Sequence, residues 1–138
     1  MAGCSGRHSS FSSFTDTDIH GWAYGDTLTF YPTGLDSADT RTLDAAIRHS
    51  GAYMYRNLWL EVSYRGSDSI LRRDTVELEL ADVYGRWLGS GFGPSYQMQV
   101  QVGLAANLAD STPIHIRHIM RVDTLRGIQQ VGIELHNR

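Results

Sequence analysis

Short runs in which apolar and polar residues alternate, broken by Gly, Pro, Asn and Asp, constrain this chain more than any other feature. A period of two is the repeat of a strand with one buried and one wet face. In Tyr96-Gln97-Met98-Gln99-Val100-Gln101-Val102 the tyrosine, methionine and valines take one side and three glutamines the other. Residues 74–80 repeat the scheme with Val76, Leu78 and Leu80 inward, and residues 58–64 follow it except that Trp59 falls on the outer side. Further strands are predicted over residues 26–31, 41–49, 114–122 and 128–135, about seven or eight in all, the number typical of a sandwich or jelly roll. Between them lie Pro32-Thr33-Gly34, Arg65-Gly66-Ser67-Asp68 and the run from Gly89 to Pro94, which supply either positive φ or a fixed φ. The prediction is an all-β fold, a two-sheet antiparallel β-sandwich of jelly-roll-like form.

A chain of 138 residues is the size of one domain, and 41% apolar with 20% charged residues is ordinary for a globular protein. The net charge of −3 offers no basic footprint for phosphates, so nucleic acid is not an expected partner. All twelve basic residues are arginine, scattered rather than clustered, which reads as compositional bias. Residues 4–13, Cys-Ser-Gly-Arg-His-Ser-Ser-Phe-Ser-Ser, hold little to bury and read as a flexible tether. The expected division is therefore 1–13 as processing remnant and tether and 14–138 as the folded domain. Cys4 stands behind Ala2-Gly3, the small-residue context that ends a bacterial lipoprotein leader, with Met1 in place of the removed apolar stretch. Cys4 is thus the expected lipidation site, although without its leader the chain is expected to be a soluble domain carrying a free thiol.

The search for chemistry returns little. His115 and His118 are the tightest histidine pair, but three residues apart on a strand they face opposite ways and do not converge on one ion. The glycine run at 89–93 lacks the following helix that a phosphate cradle needs and reads as a wide turn. Thr15-Asp16-Thr17-Asp18 and Asp36 with Asp39 lack the ligand set of a calcium loop. No nucleophile elbow is visible. No catalytic residue, cofactor or metal is expected. The aromatics Trp22, Tyr24, Tyr53, Tyr55, Trp59 and Trp87 are numerous; most are expected in the core, with Trp59, Trp22, Tyr55 and Trp87 as candidates for contact with a protein or glycan.

Several landmarks taken in order resemble the gliding-motility lipoprotein GldH family of the Bacteroidetes. They are Gly21-Trp22 leading to Asp26-Thr27-Leu28-Thr29-Phe30, Tyr55-Arg56-Asn57-Leu58-Trp59-Leu60, and Asp74-Thr75 opening a strand that ends in Leu80-Ala81-Asp82. Gly85-Arg86-Trp87-Leu88-Gly89-Ser90-Gly91 follows, then the segment from Met120 to Ile128 and Val131-Gly132-Ile133. Two departures are Met54, where the family tends to have proline, and the absence of lysine. The resemblance implies a noncatalytic, acylated envelope protein associated with gliding machinery and, in some members, type IX secretion. Its expected partners are other envelope, motility or secretion proteins and the membrane itself through the lipid at Cys4. Ser5-Gly6-Arg7 lacks the acidic run that resembles a surface-export signal, so the expected place is the outer membrane, facing the periplasm. The alternative is a glycan-binding β-sandwich module of an envelope lipoprotein.

Overall fold

The computed structural model describes residues 9–35, 40–66, 69–106, 108 and 112–137. They form eleven strands and no helix: β1 Ser9–Asp16, β2 Trp22–Ala23, β3 Leu28–Phe30, β4 Thr40–Ser50, β5 Asn57–Arg65, β6 Leu71–Glu79, β7 Ser90–Phe92, β8 Ser95–Ala106, β9 Ile114–His118, β10 Thr124–Leu125 and β11 Ile128–Asn137. One antiparallel sheet runs β1-β11-β4-β8-β7 and the other β3-β9-β5-β6, with β10-β2 as a two-stranded ribbon. The chain passes back and forth between the layers, from β4 to β5, from β6 to β7, from β8 to β9 and back to β11.

The alternation read from the sequence becomes the core. Leu43, Ala45 and Ile47 of β4 sit beside their partners Leu135, Ile133 and Val131 of β11. Across the gap, Leu58, Leu60, Val62 and Tyr64 of β5 lie among Leu78, Ile116 and Ile114, and all of these are buried. Each such aliphatic side chain contributes about 1.5–3 kcal/mol on full burial. Strand β4 is central in its sheet and buried on both faces from Arg41 to Ile47, which is why the small Ala45 and Ala46 suit it. Three one-residue bulges adjust the register: Ser10 in β1 opposite Leu135 and His136, Val102 in β8 opposite Leu43 and Asp44, and Gln129 in β11 opposite Arg48 and His49.

The structure corrects the sequence reading in four places. Residues 9–13, assigned above to a tether, belong to β1, which pairs with β11 from Ser9↔His136 to Asp16↔Gln130. Backbone pairing at a sheet edge asks little of side chains, and Phe11 packs against the core, so a serine-rich strand is sustained. The predicted strand at 26–31 shrinks to Leu28–Phe30, and that at 114–122 stops at His118. There the Met120 N–H turns back to donate to His118 Nδ1 at 3.2 Å. The glycine run is no wide turn: Ser90–Phe92 is β7, and only Gly93-Pro94 connects it to β8, with Gly93 at φ 63° as the first position of a two-residue hairpin loop.

The outer face of the larger sheet is tied by a side-chain ladder across four strands. Gln130 donates to Asp16 at 2.8 Å, and Arg48 donates to Gln130 at 2.6 Å and to Gln97 at 2.9 Å. The Arg48 guanidinium also lies 4.0 Å from the centre of the Phe14 ring, which covers Gly132.

Candidate functional site

The four aromatic contact candidates fall into different environments. Trp22 is fully buried, its indole N–H donating to the Asp26 carbonyl at 2.9 Å, so it is a core residue and unavailable to a surface partner. The strand β2 that carries it is held by His118, whose Nε2 donates to the Trp22 carbonyl at 3.0 Å and whose ring meets the indole edge-on at 5.2 Å. With Nδ1 accepting from Met120, both nitrogens of a neutral imidazole are satisfied and the tautomer is fixed. Burial pushes the His118 pKa below the ordinary histidine value. His115 points to the opposite face, hydrogen-bonded through Nδ1 to the Thr29 hydroxyl at 2.9 Å. Among the described residues no group of three His, Cys, Asp or Glu side chains is arranged to hold a metal ion.

Trp87 is half-buried in a second cluster, 4.7 Å from the His49 ring and 5.8 Å from Tyr96. His49 lies fully buried beneath it, Nδ1 donating to the Ser50 carbonyl at 3.0 Å while Nε2 has no hydrogen-bond partner among the described residues. Burial lowers its pKa as well. This cluster fills space between loops and the larger sheet; it is structural rather than an open cage.

Trp59 and Tyr55 remain at the surface, 39% and 38% exposed. Trp59 stands on the outer face of the smaller sheet, opposite Glu77 of β6 in the register. Two residues along β5, Glu61 accepts from Arg117 at 2.9 Å with Arg73 at 3.8 Å. The Arg117 hydrogen bond holds the Glu61 carboxyl below the usual carboxylate range. Tyr55 lines a groove of about 430 Å³ at the end of this sheet, together with Met54, Arg56, Glu77, Glu79, Asp82 and Val83.

The groove is built from braced backbone. The Arg56 carbonyl accepts from the amides of Leu80 and Ala81 at 2.7 and 3.1 Å, and the Tyr53 hydroxyl donates to the Asn57 carbonyl at 2.7 Å. On the far wall, Asp82 Oδ1 accepts from the amides of Tyr84 and Arg86, and Oδ2 from Arg86 Nε, each at 2.9 Å. These donors, the Arg86 amide foremost, depress the Asp82 pKa. Gly85 at φ 82° closes the turn, its amide donating to the Asp82 carbonyl at 3.0 Å. The turn thereby holds Val83 and Tyr84 outward at 74% and 80% exposure, and Met54, 80% exposed, lines the same groove as Val83. Val83 and Tyr84 had no place in the sequence reading, and Met54 entered it only as a departure from the family pattern. A turn that spends its central positions on Val and Tyr rather than Asn or Ser was the available signal.

Cys4 lies outside the described residues, as do Asp36 and Asp39. Asp16 and Asp18, the other acidic pair weighed for calcium, are occupied with Gln130 and with the His20 amide. No helix among the described residues is long and apolar enough to cross a membrane.

Two antiparallel sheets closed over an aliphatic core define a β-sandwich domain, with Trp59 and Tyr55 exposed on it. The model of the GldH lipoprotein family matches residues 9–135, nearly the whole chain, and the chain belongs to that family. The gliding motility lipoprotein GldH homolog of Christiangramia forsetii is 25% identical over 126 residues, covering 85% of this chain and 78% of that protein. The gliding motility lipoprotein GldH of Flavobacterium johnsoniae is 24% identical over 124 residues, with the same two shares. Among solved structures, the infectious bursal disease virus VP2 subviral particle overlays with a TM-score of 0.34 at 9% identity, over 93% of this chain and 30% of that one, too distant to bear on function.

Proposed function

We propose that this chain is a noncatalytic envelope lipoprotein acting as a structural or adaptor component of gliding machinery, with a link to type IX secretion. The observation that carries the reading is the family match over residues 9–135, together with relatives named for gliding motility. The side chains support it: both buried histidines are taken up in packing, and Glu61 and Asp82 are held by arginines. The anchor in this proposal is lipid on Cys4, holding the domain at the periplasmic face of the outer membrane. Metabolic labelling of cells with an alkyne fatty acid tests the anchor, with label expected on the chain carrying its leader and lost in Cys4→Ser. For the adaptor role, gentle extraction from native membranes is expected to recover motility or secretion proteins with the full chain. Recovery of no such protein would count against the role.

Trp59 favours a second reading, a glycan-binding module, because a flat indole standing among polar groups on a sheet face is suited to stacking on a sugar ring. A glycan array with native protein and Trp59→Ala decides it: binding lost in the variant supports it, and no hit removes it.

A further inference from the structure

The groove at the end of the smaller sheet inverts the usual arrangement of a small-molecule pocket. Such pockets have apolar walls and a few polar groups. Here the polar side chains Glu77 and Glu79 lie on the strand and the apolar Met54 and Val83 stand on the rim, with Tyr84 beside them. Apolar side chains this exposed at the rim of one groove suit contact with a partner. Their backbone is fixed by the Asp82 turn on one side and the Arg56 carbonyl on the other, so little ordering is required of the protein when a partner arrives.

The charges are unequal. Asp82 is neutralised by Arg86 at 2.9 Å, and the Arg56 guanidinium lies close enough to Asp82 to favour its charged form. Glu77 receives only the neutral Asn57 amide at 2.7 Å, and Glu79 has no ion pair or hydrogen bond among the described residues. The two carboxylates occupy positions i and i+2 of β6, hence the same face, and β6 is hydrogen-bonded to another strand on one side only. Arg56 lines the groove too and acts on Asp82, so the charge left without a cation is that of Glu77 and Glu79, which a cation flanked by apolar groups would complement.

We propose that this groove is the docking site for a peptide segment of a partner protein, which inserts a basic side chain between Glu77 and Glu79 while its flanking apolar residues lie on Met54 and Val83. This deepens the adaptor reading and rests on it for the identity of the partner as an envelope protein. A basic anchor ringed by apolar contacts that exclude water is the common form of a binding hot spot. The anchor supplies specificity, and the rim shields the ion pairs from solvent.

The test uses three acetylated, amidated peptides, Gly-Leu-Arg-Leu-Gly and its citrulline and glutamate analogues, titrated into isotopically labelled protein. The arginine peptide is expected to move the amide resonances of Met54, Glu77, Glu79 and Val83 and to bind about tenfold more tightly than the citrulline peptide. In the Glu77→Gln/Glu79→Gln double variant that preference disappears while the melting temperature is kept, and Val83→Ser weakens both peptides. Equal binding of arginine and citrulline peptides, shifts centred on Trp59, or no binding at the solubility limit would each overturn the proposal. So would a dimer in sedimentation that Val83→Ser dissociates, since the occupant is then a second copy of the chain. Recovery from native membranes separates the two readings. If the double variant with Val83→Ser recovers the same motility proteins as wild type, the groove proposal falls and the adaptor role stands. If peptide discrimination holds but wild type recovers no motility protein, the adaptor role falls instead.

Discussion

Single residues here divide cleanly into those that hold the fold and those that face outward. Gly127 sits at φ 98°, and a Cβ there would come within 2.8 Å of the Tyr53 backbone, which cannot swing aside as a side chain could. Gly127→Ala is therefore expected to cost at least about 1–3 kcal/mol, read as a lower midpoint in urea denaturation. Trp22→Ala should cost about 3–5 kcal/mol because it empties a fully buried site, whereas Trp59→Ala should leave stability within about 0.5–1 kcal/mol. Equal losses would mean that Trp59 is a packing residue after all. His49 and His118 give a pH dependence whose sign follows from their lowered pKa values. Below about pH 6.5 the unfolded chain takes up protons that the folded chain refuses, so stability falls as pH falls, by up to about 1.4 kcal/mol per histidine per pH unit. Glu61, held below its ordinary range, adds a separate loss at lower pH as its carboxylate is protonated. Thermal melts from neutral to mildly acidic pH check the histidine window: His118→Gln should flatten the slope, and a flat wild-type profile would contradict the assignment.

At the scale of elements, the long strands were written in the alternation and the short ones were not. The inward sets of β5, β6 and β8 follow the expected positions, down to Trp59 on the outer face. Strand β1 escaped because a serine-rich edge strand looks like a linker, its pairing with β11 being backbone work that side chains do not announce. Strands β2 and β10 are two residues long, and β3 and β7 three, lengths at which period two has no meaning. Of the groove, only Tyr55 was singled out as a contact candidate, since Val and Tyr at the centre of a turn are a weak cue without the Asp82 cap that fixes them outward. The two sheets share one core, so truncation in either should loosen both. Leu60→Ala and Ile47→Ala, on opposite sheets, are each expected to cost about 2–5 kcal/mol and to leave a single transition with the far- and near-ultraviolet signals coincident. Separate transitions would show that the sheets fold as independent units.

For the whole molecule, the start of β1 sets a limit on where the domain can work. Ser9, the first described residue, is already paired with β11, and it stands five residue steps after Cys4. Even drawn straight, five steps span only roughly 17 Å. A domain of this size has a radius of gyration of about 14 Å, so its own width exceeds that leash. If Cys4 carries the lipid, the sandwich does not range far from its anchor; it rides against the bilayer like a moored hull. Its edge strand β1 lies nearest the mooring, and any partner must come within a domain's breadth of the lipid surface to meet it. Lengthening the leash with Gly-Ser repeats between Cys4 and Ser9 would then widen the search volume and weaken recovery of membrane-proximal partners, without altering the melting temperature of the domain.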